Sequence, residues 1–251
     1  MTDRPDLARR LTAEALGTML LVTVVVGSGI AAQRLSPGDT GLQLLENSIA
    51  TVFGLTVLIL VFGPTSGAHF NPVVSLADWW LGRRNSTGLT VPEVGVYSLA
   101  QICGGVLGAV LANLMYQVPV TELASTERTG AHLWLGEVVA TAGLVLLIFT
   151  LARTSRGSLA APAVGAYIGA AYWFTSSTSF ANPAVTIGRA FSDTFAGIQP
   201  LSVPGFVAAQ LIGTVIAVAL VHWLHPGVGA GEDRTADDVV VPHPLTTETK
   251  P

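Results

Sequence analysis

Ser66-Gly67-Ala68-His69-Phe70-Asn71-Pro72-Val73 and, later in the chain, Asn182-Pro183-Ala184 decide how this sequence folds. Each Asn-Pro step reads as a helix start. Asparagine caps with its side-chain oxygen, and proline is favoured at the first helical position, where its missing N–H would be unpaired anyway. The apolar segments that these steps open, one after Gly67 and one after Ser179, are too short to cross a bilayer. Each therefore predicts a half-helix.

The surroundings of both segments are apolar. Half of the 251 residues are hydrophobic and 11 % are charged, against roughly 25 % charged in a soluble domain. Charge-free stretches recur at Ala15–Ala32, Asn47–Ser66, Val94–Tyr116, Val138–Ala152 and Gly157–Gly188, with another after Asp193. Each passes or approaches the roughly 20 residues that span about 30 Å of hydrocarbon. Because such segments follow along the whole chain, the first is no cleavable signal peptide, and a polytopic membrane protein is expected. Soluble enzymes, collagens, disordered chains and nucleic-acid binders are excluded. The single cysteine, Cys103, has no partner for a disulfide or a cysteine metal site and reads as a small core residue. The net charge of −4 comes mostly from the acidic tail, and the 27 glycines suit close packing of membrane helices.

Breaks in charge and Pro/Gly content predict spans near 8–32, 46–63, 93–116, 133–152, 160–178 and 204–224. Six spans put both termini on one side. Arg4, Arg9, Arg10, Arg83, Arg84, Arg153 and Arg156 fall on that side and only Arg34, Arg128 and Arg189 on the other, so the termini are expected in the cytoplasm. From Pro226 the chain is polar and reads as a disordered tail, residues 226–251, behind one membrane domain, residues 1–225. That domain repeats itself. Ala13-Glu14-Ala15-Leu16-Gly17-Thr18 echoes Gly136-Glu137-Val138-Val139-Ala140-Thr141, the Asn-Pro steps echo each other, and Ala100-Gln101 with Gly104 echoes Ala209-Gln210 with Gly213. Three spans per repeat, about 8–116 and 133–225, is an odd number, so the second repeat is inverted relative to the first and the half-helices enter from opposite faces to meet near the midplane.

The paired triplets, the doubled glutamate motif and the inverted six-span repeat resemble the aquaporin family, the major intrinsic proteins, over about residues 8–225. The physics at the triplets does not depend on that resemblance. A broken helix at the midplane is tolerated only where it is buried in protein or lines a water-filled cavity, and two half-helix N-termini facing each other repel cations. Asn71 and Asn182 can cap the half-helices while offering amide donors to the lumen, which interrupts a proton wire. Glu14 and Glu137 lie inside spans, where a carboxylate is costly and marks function. The resemblance gives both the task of accepting hydrogen bonds from the loops that carry the half-helices, and His69 reads as a brace for its own loop.

The same resemblance implies a selectivity ring on the extracellular side, normally with an arginine three residues after the second asparagine. Here that residue is Val185, and Arg189 is the nearest arginine. The other carried-over positions are Phe53, Ala170 and Ser179. Valine for arginine, with Val73 for the usual alanine, resembles bacterial aquaglyceroporin-like channels associated with arsenic resistance. The expected activity is passive passage of small uncharged solutes, glycerol, metalloid hydroxides and methylated arsenicals, and of water, with protons and ions excluded. A water-selective channel is the nearest alternative, and a secondary transporter carrying protons on Glu14 or Glu137 the next. No nucleophile–base pair, metal cluster or phosphate loop is legible, so neither an enzyme nor a cofactor or metal is expected. The expected partners are the solutes and the bilayer of the plasma (inner) membrane, and the resemblance adds a homotetramer.

Overall fold

The structure, a computed structural model, describes residues 5–83, 87–120 and 122–226. Eight α-helices follow in chain order among these residues: α1 Leu7–Leu35, α2 Thr40–Ser66, α3 Pro72–Gly82, α4 Val91–Tyr116, α5 Ala131–Arg153, α6 Ala160–Phe174, α7 Pro183–Arg189 and α8 Val203–Leu224. The tail expected from Pro226 lies, past that residue, outside the described residues.

Local chemistry sets the helix limits. Asp6 caps α1 by accepting from Arg9 N, Asp39 caps α2 by accepting from Leu42 N, and Thr90 and Glu93 close a reciprocal capping box at α4. Pro64 in the last turn of α2 and Gly67 in the left-handed region end that helix before the first loop. The start of α2 lies six residues earlier than the charge pattern predicts, because Asp39 caps it there and Glu46 is accommodated by Ser36 Oγ at 2.7 Å. The fifth span, α6, stops at Phe174 rather than residue 178. Its continuation is the hydroxyl-rich run Thr175-Ser176-Ser177-Thr178-Ser179, whose side chains compete for backbone groups, and Thr178 and Ser179 adopt φ of 60° and 51°.

The elements obey the inverted repeat. α1 packs against α2 and α4, as α5 packs against α6 and α8. Each half-helix also crosses to the other half, α7 onto α4 and α3 onto α8. Five helices, α1, α2, α4, α5 and α8, are long and apolar enough to cross a membrane, and α6, continuous with a 3₁₀ turn at Gly157–Leu159, completes six. This is the six-span, two-half-helix membrane fold. The distribution of polarity agrees with it. Leu99, Ile212, Val215 and Trp223 point outward, whereas Glu14, Gln101, Glu137 and Gln210 are fully buried, the reverse of a soluble domain. Cys103 corrects one expectation: it is exposed on the outer face of α4, because the inner face there belongs to Gly104 and Gly105.

Those mid-helix glycines are contact points. A Cβ on Gly213 would lie 2.5 Å from the Val138 carbonyl oxygen of α5, and one on Gly104 would strike the matching Ala15 carbonyl of α1. Neither neighbour can yield without moving a helix backbone. Gly213→Ala is expected to cost about 1–3 kcal/mol through overpacking. Gly95→Ala, with nothing within 4 Å of its Cβ, is expected to be neutral or stabilising by up to about 1 kcal/mol. Fluorescence-detected thermal melts of the detergent-solubilised variants compare the two.

Candidate functional site

The two half-helices start head to head. In α3, Asn71 Oδ1 accepts from Val73 N at 3.1 Å, and in α7, Asn182 Oδ1 accepts from Ala184 N at 2.9 Å and Val185 N at 3.2 Å. Pro72 and Pro183 occupy the first helical position in each. The amide groups then cross the pseudo-two-fold axis: Asn71 Nδ2 donates to Ala181 O at 2.8 Å, and Asn182 Nδ2 donates to Phe70 O at 2.7 Å. One hydrogen of each amide thus ties the two loops together, and one is left for the cavity beside them.

The loops leading into the half-helices are bent in the same unusual way. Gly67, Ala68 and Phe70 have φ of 86°, 50° and 48°, and Thr178, Ser179 and Ala181 have 60°, 51° and 50°. Five of the six are not glycine, and each such residue costs about 1–2 kcal/mol in the left-handed region. Buried carboxylates hold them there. Glu14 Oε1 accepts from His69 N at 2.9 Å and Ser66 Oγ at 2.6 Å, and its Oε2 accepts from Phe70 N and Gln101 Nε2, both at 2.7 Å. Glu137 accepts from Phe180 N and Ala181 N, both at 2.8 Å, and from Gln210 Nε2 at 2.7 Å. The glutamines also reach the half-helices themselves, Gln101 to Ser75 Oγ at 3.1 Å and Gln210 to Thr186 Oγ1 at 2.9 Å. Gln101 and Gln210 thus belong to the support on which Glu14 and Glu137 were placed; their signal in the sequence was the Ala-Gln repeat. His69 lies within 3.0 Å of Ser75 Oγ through Nδ1, and its ring is 5.6 Å from that of Tyr97.

Between the loops and the long helices runs a cavity of about 80 Å³. A single water needs about 10–15 Å³ by this measure, so the cavity has room for a file of several. Its wall combines Thr51, Leu55 and Ile59 of α2 with Ala160, Val164, Ile168 and Tyr172 of α6 and apolar residues of α1 and α5. His69, Asn71, Ser179 and Asn182 add a polar stripe from the loops.

Ser179 and Val185 line this cavity, but Phe53 and Ala170 do not. Phe53 is 67 % exposed on the outer face of α2, and Ala170 is exposed on α6. Both errors are two residues, about 200° around a helix. The inward stripes advance by four, through Thr51 on α2 and Tyr172 on α6, and the two hydroxyls meet at 3.2 Å. That spacing, with Gln43, Asn47 and Thr51 ahead of Leu55 and Ile59 on the α2 stripe and Tyr172 ending the α6 stripe, was the available signal. Arg189, one turn beyond Val185 on α7, lines the same cavity and is 3 % exposed. Its guanidinium lies 3.4 Å from the centre of the Phe180 ring, and its Nε donates to Ala196 O. Arg128, in the segment joining α4 to α5, approaches the same ring at 5.3 Å and donates to Gly197 O at 2.8 Å. Burial holds the Arg128 guanidinium below its ordinary pKa, opposed by the nearby Glu137 carboxylate. Among the described residues no group of three or more His, Cys, Asp or Glu side chains is placed to hold a metal ion.

Comparison with known proteins gives a concordant result. Residues 1–181 match the family described as Major intrinsic protein. The chain is 50 % identical over 219 residues, 87 % of its length and 91 % of the relative's, to a Rhizobium meliloti (strain 1021) protein named Aquaglyceroporin AqpS. It is 30 % identical over 202 residues to Aquaporin NIP2-1 of Zea mays, covering 77 % of this chain and 65 % of that one. Among solved structures, that of the aquaglyceroporin from Plasmodium falciparum superposes with a TM-score of 0.63 over 89 % of this chain and 99 % of that chain, at 20 % identity, which bears on the fold alone.

Proposed function

The chain belongs to the major intrinsic protein family of multi-pass membrane channels, and from that premise we propose that it passes small uncharged solutes and water while excluding protons and ions. Glycerol and metalloid hydroxides, including methylated arsenicals, are the solutes we assign to it. The reading rests foremost on the paired half-helix starts, whose asparagines cap the helices and exchange hydrogen bonds between the two loops beside the cavity. A water in that cavity must accept from the remaining amide hydrogens of Asn71 and Asn182. It is thereby oriented away from relaying a proton, while the two helix N-termini disfavour cations.

Selectivity is assigned to the Thr51–Tyr172 pair with Ser179 and Val185. Phe53 and Ala170 face outward and take no part in it. Valine in place of a guanidinium leaves an apolar, wider passage, which suits solutes that carry a methyl group as well as hydroxyls. Glu14, Glu137 and His69 support the loops in this reading. The orientation remains that of the arginine distribution, with cytoplasmic termini in the plasma membrane, and the assembly is a homotetramer with one pore per subunit.

Substituting Asn182 by Asp places a negative charge at the cation barrier. Potassium leakage through Asn182→Asp proteoliposomes is expected to rise at least tenfold, while water permeability stays within a factor of three. An unchanged leak would remove Asn182 from the barrier. A protonophore distinguishes the transporter alternative: it leaves solute flux through a channel unchanged and abolishes accumulation by a proton-coupled carrier.

A further inference from the structure

Val185 leaves the cavity without a cation at the third residue after Asn182, yet the cavity is not without one. Arg189 follows Val185 by four residues on the same face of α7, lines the same space and is 97 % buried. No carboxylate pairs with it among the described residues. Its Nε is used by the Ala196 carbonyl and its plane lies on Phe180, which leaves the terminal nitrogens as the groups available to the lumen. Arg128 brings a second guanidinium to the same phenyl ring and fixes the adjacent backbone through the carbonyls of Gly197 and Phe195. Two positive charges thus converge on one ring at the end of the cavity remote from the chain termini. Just inside them, Ser179 Oγ is buried without a protein partner.

We propose that Arg189, assisted by Arg128, forms a second, outer cation barrier one helical turn outside the Val185 ring, so that the pore separates charge selection from size selection. Resting on the reading of this cavity as the solute pore, the arrangement has a functional consequence. Charge is rejected at Arg189, about 6 Å along α7 from Val185, where the guanidinium is held by the Ala196 carbonyl and the Phe180 ring. Neutral solutes then meet the apolar ring at Val185. A solute with oxygen acceptors is handed from the Arg189 donors to the hydroxyl of Ser179.

Urea and guanidinium, planar isosteres that differ in charge, provide the test. Proteoliposome fluxes of both are measured for the wild type, Arg189→Gln, Arg189→Lys and Arg128→Gln, normalised to reconstituted protein. Wild type is expected to pass urea and to exclude guanidinium. Arg189→Gln is expected to raise the guanidinium/urea flux ratio at least tenfold, and Arg189→Lys, which keeps the charge, to preserve exclusion. Arg128→Gln, which leaves the Ala196 clamp intact, is expected to raise the ratio about threefold, and it decides the matter if Arg189→Gln fails to reach the membrane. An unchanged ratio in correctly inserted Arg189→Gln, or equal leaks through the glutamine and lysine variants, would overturn the proposal. Absence of urea flux in the wild type would instead overturn the pore reading beneath it.

Discussion

Glu14→Ala is expected to abolish accumulation of folded protein. The carboxylate accepts four hydrogen bonds, from Ser66 Oγ, His69 N, Phe70 N and Gln101 Nε2. Each buried donor left without an acceptor costs about 1–3 kcal/mol, so four approach the roughly 5–15 kcal/mol that holds a typical protein together. The loss falls on the loop whose Ala68 and Phe70 already occupy the left-handed region, and the contacts that stay with them are Ser66 Oγ, which accepts from Ala68 N, and Asn182 Nδ2, which donates to Phe70 O. Membrane abundance and a size-exclusion profile of the detergent extract provide the measurement. Glu14→Gln is the informative companion. It keeps the shape but turns one acceptor into a donor facing donors, so a smaller loss of stability is expected. Whatever folds should still conduct neutral solute without proton coupling. If Glu14 were a proton carrier, the glutamine variant would be stable and would lose coupled transport alone.

The second large effect is expected at Val185. Val185→Arg would place a guanidinium four residues before Arg189 on one face of a seven-residue helix, where like charges repel. In a cavity of about 80 Å³ the new side chain also takes up much of the free width beside Ser179 and the Thr51–Tyr172 pair. Water can still pass in single file, whereas glycerol and a methylated arsenical must lose more hydration and fit past two cations. At least tenfold loss of flux is expected for these larger solutes and less than threefold for water. Stopped-flow permeabilities normalised to membrane abundance would decide, and equal proportional losses for all three would remove Val185 from the selective ring.

Much of this architecture was legible because the chain says it twice. The Asn-Pro steps, the glutamates at positions 14 and 137 and the glutamines at 101 and 210 each recur, and every recurrence returned as a matched pair of contacts. A repeat of buried polar residues in an apolar chain leaves few places to put them. Azimuth around a helix was harder. Phe53 and Ala170 were misplaced by half a turn because a membrane helix surrounded by lipid outside and a largely apolar wall inside carries little amphipathic contrast. On α2 and α6 the polar marks of the inner face are few, Gln43, Asn47, Ser48 and Thr51 on one and Tyr172 on the other. Arg189 was legible as a residue and not as a position: its reach into the cavity depends on the Ala196 carbonyl and the Phe180 ring, contacts between segments that no local pattern encodes. The end of α6 at Phe174 was obscured in a similar way, since a run of serines and threonines can continue a helix or break it, and here Glu137 holds the loop beyond.

The central claim is that one cavity carries neutral solute past the Asn71–Asn182 pair without carrying protons. Proteoliposomes of the wild-type chain, loaded with a pH-sensitive dye and challenged in one stopped-flow experiment with a glycerol gradient and a proton gradient, test it most directly. Rapid glycerol-driven volume change with a proton flux no greater than that of protein-free vesicles is the predicted result. A proton conductance that rises in step with the solute flux as protein density increases would contradict it.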